Sequence, residues 1–256
     1  MVGFGIVLLN LLLLLTLITG CENEYEFIEP DATASVEFQI RDRAGNTKSI
    51  KYLYSVPVNY DPEKAWPLVV TLHGDGSNAL AFHDLWRPAT DSLGFVLLTP
   101  QGESFTPGGI GYTWGKNAEQ LIRISMEQLQ QKVHIDRERV YLTGFSSGGA
   151  LAYLIGLKYP YIFNGIAPLG APFRAEFLKS KRDDLSSQSM FNNFPVYIGH
   201  GALEQNFDSE AKLAESMLKK LGCRVKLVPY EGVGHGLPKP MKNELIRILN
   251  FLRQSS

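Results

Sequence analysis

Cysteine is scarce in this 256-residue chain, which has only Cys21 and Cys223. No intramolecular disulfide can form if either of them is blocked, and we expect Cys223 to be a small buried hydrophobic residue. An excess of one charge is also lacking, because the formal net charge is -1. The chain therefore offers no basic face to nucleic acid, and we expect no nucleic-acid partner. With 45% hydrophobic residues and no internal repeat, it can bury one large core as a single domain.

Lysine and arginine are missing ahead of a long apolar run at residues 2–19. This run is nearly long enough to span a bilayer. It ends in Ile18-Thr19-Gly20-Cys21, which resembles a bacterial lipobox, where a signal segment is cut ahead of a cysteine that is then lipidated. The missing basic residues depart from the usual signal peptide, so an uncleaved anchor remains the alternative. In both cases we expect the folded part to be exported and held at a bacterial membrane, on its periplasmic or cell-surface side.

The chain divides into three parts on this interpretation. We predict a lipoprotein-type signal peptide at residues 1–20, with Cys21 as the lipidated residue. The acidic, polar residues 22–31 predict a short tether, which we place at residues 21–34. Residues 35–256 then form the folded domain.

Short apolar runs alternate with helical patterns along this domain. Strands are predicted at residues 35–41, 47–58, 66–72, 95–99, 140–143, 165–169, 195–199 and 224–230. Helices are predicted at residues 79–93, 117–133, 149–158, 207–221 and 238–253. This alternation predicts an α/β fold with a mostly parallel, doubly wound sheet, whose antiparallel edge is the opening hairpin. The serine-rich residues 173–193 are long enough for a small cap over a site.

The sequence Gly144-Phe145-Ser146-Ser147-Gly148 joins a predicted buried strand to an apolar helix. A G-x-S-x-G pattern alone can arise by chance, but strand, sharp turn and helix are the context of a nucleophile elbow. There the serine backbone is strained, and the two glycines let strand and helix pass close together. Ser146 is therefore the predicted nucleophile.

A serine hydroxyl needs a base, and the base needs an orienting acid. His235 follows the last predicted strand between two glycines, and we predict that it is the base. Glu204 follows the preceding strand and is the preferred acid, with Asp208 as the alternative. The order serine, acid, histidine is the α/β-hydrolase order. We expect His200 to orient its neighbourhood and not to react.

The oxyanion formed by such a nucleophile needs two N–H donors. One is the amide of Ser147, directly after the nucleophile. The other belongs to the loop after the first long buried strand, where His73-Gly74-Asp75-Gly76 lies. We choose the amide of Asp75, with Gly76 as second choice, and expect the carboxylate of Asp75 to point away. His73 is expected to brace this loop.

The segments WPLVVTLHGDG, RVYLTGFSSGGALA and HGALE resemble the α/β-hydrolase superfamily. They look most like the polyhydroxybutyrate-depolymerase and feruloyl-esterase group, with the phospholipase/carboxylesterase group close behind. The resemblance extends over about residues 35–253 and implies an α/β-hydrolase catalytic domain. These families usually have aspartate where Glu204 stands. Trp114 matches the place of a substrate-contacting aromatic residue, although a core role is equally open.

The resemblance and the triad together predict an exported serine carboxylic-ester hydrolase that needs neither metal nor organic cofactor. Its ester substrates would be acylated or feruloylated polysaccharide fragments, or polyesters, because an exported enzyme meets substrates too large to import. A serine peptidase of the same fold is one alternative, since the triad cleaves esters and amides alike. A catalytically silent binding module is the other.

Overall fold

The computed structural model describes residues 28–29, 31–41, 45, 47–176, 178 and 189–254. The predicted signal peptide, Cys21 and most of the predicted tether lie outside the described residues, and so does the middle of the serine-rich stretch. Within the described part of the chain, no helix is both long and apolar enough to cross a bilayer.

The described residues form one eight-stranded sheet and a separate two-stranded hairpin. The strands are β1 (Thr33–Arg41), β2 (Thr47–Ser55), β3 (Trp66–Leu72), β4 (Val96–Pro100), β5 (Ser104–Phe105), β6 (Tyr112–Thr113), β7 (Ile135–Phe145), β8 (Gly165–Leu169), β9 (Pro195–Gly201) and β10 (Arg224–Tyr230). Their order in the sheet is β1-β2-β4-β3-β7-β8-β9-β10, while β5 pairs with β6. β1 and β2 are antiparallel, as are β2 and β4, and the remaining neighbours in the sheet are parallel. The predicted α/β architecture with an antiparallel edge hairpin is confirmed.

Helices cover both faces of the sheet. They are α1 (Ala79–Leu93), α2 (Ala118–Gln130), α3 (Ser147–Lys158), α4 (Lys212–Leu221) and α5 (Met241–Arg253). α2, α3 and α4 pack on one face, whereas α1 and α5 pack on the other. Strands covered on both faces are mostly apolar, and β3, β4, β8 and β9, which are buried along their whole length, follow this rule.

Several element ends differ from the sequence-based expectation. β1 begins at Thr33, two positions ahead of the predicted start. The last helix begins at Met241 because Pro240 is extended, with ψ of 137°. The predicted helix over residues 207–221 opens as a π-helix at Phe207–Ala211 before α4 continues it. The predicted loop over residues 101–116 contains the β5–β6 hairpin.

The carboxyl end of the predicted tether packs against the domain. Ile28 is buried in the hydrophobic core. Arg87, on α1, donates hydrogen bonds to the carbonyl and carboxylate oxygens of Asp31. These contacts begin ahead of the predicted domain boundary at residue 35.

The parallel strands bring the predicted site residues to one edge of the sheet. His73 follows β3, Ser146 follows β7, Glu204 follows β9 and His235 follows β10. The carboxyl ends of parallel strands meet at the same edge, where ligands bind in open α/β sheets. The fold thus collects four distant segments in one place.

Candidate active site

Ser146 occupies the sharp turn between β7 and α3, with φ of 55° and ψ of -119°. A positive φ is strained for a residue other than glycine. A Cβ on Gly144 would lie 2.4 Å from the carbonyl carbon and oxygen of Gly148, and one on Gly148 would lie 2.3 Å from the carbonyl oxygen of Leu72. Because only glycine fits at these two positions, strand and helix approach as closely as the motif predicts.

His235 reaches back to this turn from the loop after β10. Its Nε2 lies 2.9 Å from Oγ of Ser146, a distance at which the hydroxyl can donate to the ring. The imidazole also packs on the ring of Phe145, with 5.1 Å between the ring centroids. Its side chain is 54% exposed, so the pair lies open to a substrate.

Glu204 contacts the other side of the same imidazole. Oε2 of Glu204 lies 3.3 Å from Nδ1 of His235, and the glutamate side chain is only 9% exposed. The two loops are also joined through the backbone, since the amide of Leu203 donates to the carbonyl oxygen of Val233 at 2.9 Å. The structure therefore brings Ser146, His235 and Glu204 together, with the ring of His235 between the hydroxyl and the carboxylate.

The other candidates near the acid have separate positions. The backbone of Asp208 lies in the π-helix, and its side chain is outside the described part of the structure. His200 is buried, and its Nε2 lies 3.4 Å from Oε2 of Glu204. Glu204 follows His200 by four residues, a spacing that did not by itself show this contact or which ring nitrogen makes it. Among the described residues, no group of three or more His, Cys, Asp or Glu side chains is arranged to hold a metal ion.

The loop after β3 lies directly beside the nucleophile. A Cβ on Gly74 would lie 3.3 Å from Cβ of Ser146. The carboxylate of Asp75 accepts a hydrogen bond from the hydroxyl of Thr113 at 2.5 Å, which directs it to the β5–β6 hairpin. The amide of Gly76, the second choice for the oxyanion, donates to the carbonyl oxygen of Tyr112 at 3.1 Å. Ser147 is the first residue of α3, so its amide has no partner within the helix.

Comparison with known proteins assigns the chain to a family. The phospholipase/carboxylesterase family matches residues 112–256, more than half of the chain. The chain belongs to the phospholipase/carboxylesterase family. A second family, esterase PHB depolymerase, matches residues 51–171, and the fold is that of an α/β-hydrolase.

Individual relatives agree with this assignment. The chain is 31% identical to poly(3-hydroxyalkanoate) depolymerase C of Paucimonas lemoignei over 51% of its own length and 33% of that protein. It is 27% identical to feruloyl esterase C of Emericella nidulans, over 73% of this chain and 67% of that protein. A solved ferulic acid esterase superposes with a TM-score of 0.64 at 16% identity, covering 86% of this chain and 97% of that one. In three curated relatives, depolymerase C among them, the match spans only 17% to 35% of the protein.

In this carboxylesterase-family chain, His73 and Trp114 support the loop after β3. Nε2 of His73 accepts a hydrogen bond from the amide of Gly102 at 3.0 Å, so the ring proton is on Nδ1, which donates to the carbonyl oxygen of Gly74 at 2.9 Å. Burial lowers the pKa of His73 and keeps this ring neutral. Trp114 stacks on His73 and its indole N–H donates to the carbonyl oxygen of His73 at 2.7 Å. These contacts favour packing over substrate contact for Trp114.

Proposed function

We propose that the chain is an exported serine carboxylic-ester hydrolase with Ser146 as nucleophile, His235 as base and Glu204 as orienting acid. The observation that carries the proposal is the 2.9 Å contact between Oγ of Ser146 and Nε2 of His235, on a strained elbow beside a free helix amide. The matches to an esterase family and to depolymerase and feruloyl esterase relatives support ester hydrolysis.

The first half of the reaction forms an acyl-enzyme. Oγ of Ser146 attacks the ester carbonyl carbon while Nε2 of His235 takes the hydroxyl proton. The carbonyl oxygen becomes an oxyanion, which accepts hydrogen bonds from the amides of Asp75 and Ser147. The bond to the alcohol then breaks, and the imidazolium returns its proton to the departing oxygen.

The second half uses water in place of the serine. His235 takes a proton from water, the hydroxide attacks the acyl carbonyl, and the proton passes to Oγ of Ser146 as the acid leaves. In both halves the carboxylate of Glu204 keeps the histidine proton on Nδ1 and stabilises the imidazolium. Apart from the ester and water, every group in these steps belongs to this chain.

The proposed substrates are esters of large or polymeric molecules. A poly(3-hydroxyalkanoate) depolymerase and a feruloyl esterase among the relatives support polyesters and feruloylated or acylated polysaccharide fragments. An assay on short-chain polyester, methyl ferulate and acetylated xylan, with a dipeptide anilide as the amide, separates these classes. Faster cleavage of the anilide than of every ester would replace the esterase by the peptidase alternative.

A fluorophosphonate probe tests the nucleophile directly. The probe should label the intact wild-type protein, and Ser146→Ala should lose both labelling and ester hydrolysis. The variant should fold with unchanged or slightly raised thermal stability, because alanine removes a polar group from a strained turn. Labelling that persists in Ser146→Ala would remove this serine from the mechanism.

Membrane attachment through Cys21 is part of the same proposal, supported by the motif Ile18-Thr19-Gly20-Cys21. Several acyl chains hold a protein on a membrane, whereas one chain does so only marginally. The full-length protein expressed in bacteria should incorporate labelled palmitate, and Cys21→Ser should not. An unlabelled wild-type protein that keeps its first twenty residues would favour the uncleaved anchor.

A further inference from the structure

One carboxylate oxygen of Glu204 faces two imidazole rings. Oε2 lies 3.3 Å from Nδ1 of His235 and 3.4 Å from Nε2 of His200. The His235 side chain is 54% exposed, that of Glu204 is 9% exposed and that of His200 is 1% exposed. The carboxylate is therefore enclosed between a ring that is open to the substrate side and a ring that the core surrounds.

The backbone at Glu204 is fixed, but it leaves the carboxylate free to turn. The amide of Glu204 donates to the carbonyl oxygen of Gly201 at 3.2 Å, and that of Leu203 donates to the carbonyl oxygen of Val233 at 2.9 Å. Three rotatable bonds still separate this backbone from the carboxylate. Its second oxygen, Oε1, is buried without a hydrogen-bond partner among the described residues. The contacts at Oε2 are thus what fixes the direction of the carboxylate.

His200 is the better fixed of the two rings at Oε2. It belongs to β9, which is paired with β8 and β10, whereas His235 lies on an exposed loop. A second carboxylate interacts with Glu204, because burial raises the pKa of Glu210 and the negative charge of Glu204 raises it further. The two carboxylates repel each other, and an N–H donor on Glu204 opposes that repulsion.

We infer that His200 is a positioning residue, whose buried ring holds Oε2 of Glu204 in line with Nδ1 of His235. In the tautomer with its proton on Nε2, His200 offers an N–H to this oxygen and leaves the serine and the substrate untouched. The inference rests on the proposed function, because it assigns a task within that triad.

Two polar substitutions of His200 separate positioning from general packing. The amide nitrogen of glutamine reaches about as far as Nε2 of histidine, whereas that of asparagine reaches only about as far as Nδ1. His200→Gln should keep kcat within about threefold of the wild type. His200→Asn should lower kcat about tenfold to a hundredfold, the range expected when a polar group beside a buried carboxylate is lost. KM should change less than about twofold in both variants, since neither group touches the substrate.

His83→Asn is the matched control, because His83 is also fully buried and its ring contacts Thr99 on β4. This variant should keep the wild-type kcat. The double variant His200→Asn with Glu204→Gln should be no slower than Glu204→Gln alone, because His200 acts only through the carboxylate.

Three results would overturn the inference: wild-type kcat in His200→Asn, a kcat for His200→Gln as low as that for His200→Asn, or a further full loss in the double variant. If His200→Asn does not fold, His200→Gln decides, since lost kcat at unchanged KM contradicts the inference and retained kcat supports it. Fluorophosphonate labelling of Ser146→Ala distinguishes this failure from failure of the proposed function. Labelling lost in that variant leaves the triad intact whatever His200 does, whereas labelling retained removes the triad itself.

Discussion

The candidate site has a serine half, the turn around Ser146, and a histidine half, the loop around His235, and the two are built in different ways. Around Ser146, strand and helix backbones leave no room for a Cβ on Gly144 or Gly148, so backbone sterics place the nucleophile. Around His235, a Cβ on Gly234 would meet nothing within 4 Å, and the ring itself is 54% exposed. The backbone of this loop still packs on the end of β9, since a Cβ on Gly201 would lie 1.9 Å from the carbonyl oxygen of Gly234. The direction of the ring itself depends on its contacts with other side chains. We therefore expect the position of Ser146 to be sensitive to backbone substitutions next to it, and the direction of the His235 ring to be sensitive to its side-chain partners.

Replacing the acid should have the largest effect on the histidine half. In Glu204→Gln the amide N–H can face Nδ1 of His235, which favours the wrong tautomer and leaves the imidazolium without a counter-charge. Steady-state kinetics at neutral pH should show kcat lowered by about two to four orders of magnitude, as amide replacement of a triad acid does in a serine protease.

Asp208→Asn is the control for that substitution. It should keep a near-normal kcat and lose about 1 kcal/mol of stability at most, through a weaker start of the helical segment. If Asp208→Asn were the inactive variant and Glu204→Gln the active one, the assignment of the acid would be wrong, while serine and histidine could keep their roles.

A methyl group added to the backbone of each half should lower the free energy of unfolding by different amounts. Gly144→Ala puts a Cβ 2.4 Å from the backbone of Gly148, and we expect it to lower the free energy of unfolding by about 3 kcal/mol or more. Gly234→Ala places its Cβ in open space and should cost less than about 1 kcal/mol. Urea unfolding of the two variants gives both values. Equal losses would contradict the difference between the halves.

A buried histidine outside the site should make the stability of the protein depend on pH. Burial, with a smaller contribution from Arg87, lowers the pKa of His83 from 6.5 to about 4. Between these values the unfolded chain binds more protons than the folded one, so the free energy of unfolding falls as the pH drops from 6.5 towards 4. The part due to His83 is on the order of 2–3 kcal/mol. Urea unfolding across this window should show a flatter decline for His83→Asn, and an unchanged slope would exclude His83 as the source.

Ser147→Ala should have the smallest effect. Only the amide of Ser147 faces the proposed oxyanion, and its buried hydroxyl has no hydrogen-bond partner among the described residues. Removing an unpaired hydroxyl leaves stability unchanged or slightly higher. We expect kcat within about twofold of the wild type. A tenfold loss would show that the hydroxyl takes part in the reaction.

Local patterns in the sequence were enough for much of the fold. The apolar run Trp66–Leu72 and the helix Ala79–Leu93, with Asn78 as its cap, have the predicted bounds. The β5–β6 hairpin was missed because two-residue strands in a glycine-rich loop carry no periodicity. The π-helix at Phe207–Ala211 was missed because residue spacing does not distinguish it from the start of an α-helix.

The candidate site shows the same division between local and distant information. Ser146 could be predicted from its own strand–turn–helix context, and His235 from its place after the last strand. The choice between Glu204 and Asp208 depends on which carboxylate reaches Nδ1 across 31 positions of the chain, which spacing alone does not fix. Residue spacing does not fix the contact of His200 with Glu204 either, because that contact depends on side-chain torsions.

The place of β10 in the sheet has a consequence for the timing of folding. Oγ of Ser146 and Nε2 of His235 belong to residues 89 positions apart. The loop with His235 follows β10, which lies at the edge of the sheet and, among the described strands, pairs with β9 alone. A growing or refolding chain can therefore complete its elbow while the base is still undocked. β10 is the last described strand along the chain. Recovery of fluorophosphonate labelling during refolding therefore reports the final step of sheet assembly, separately from the earlier steps that circular dichroism follows.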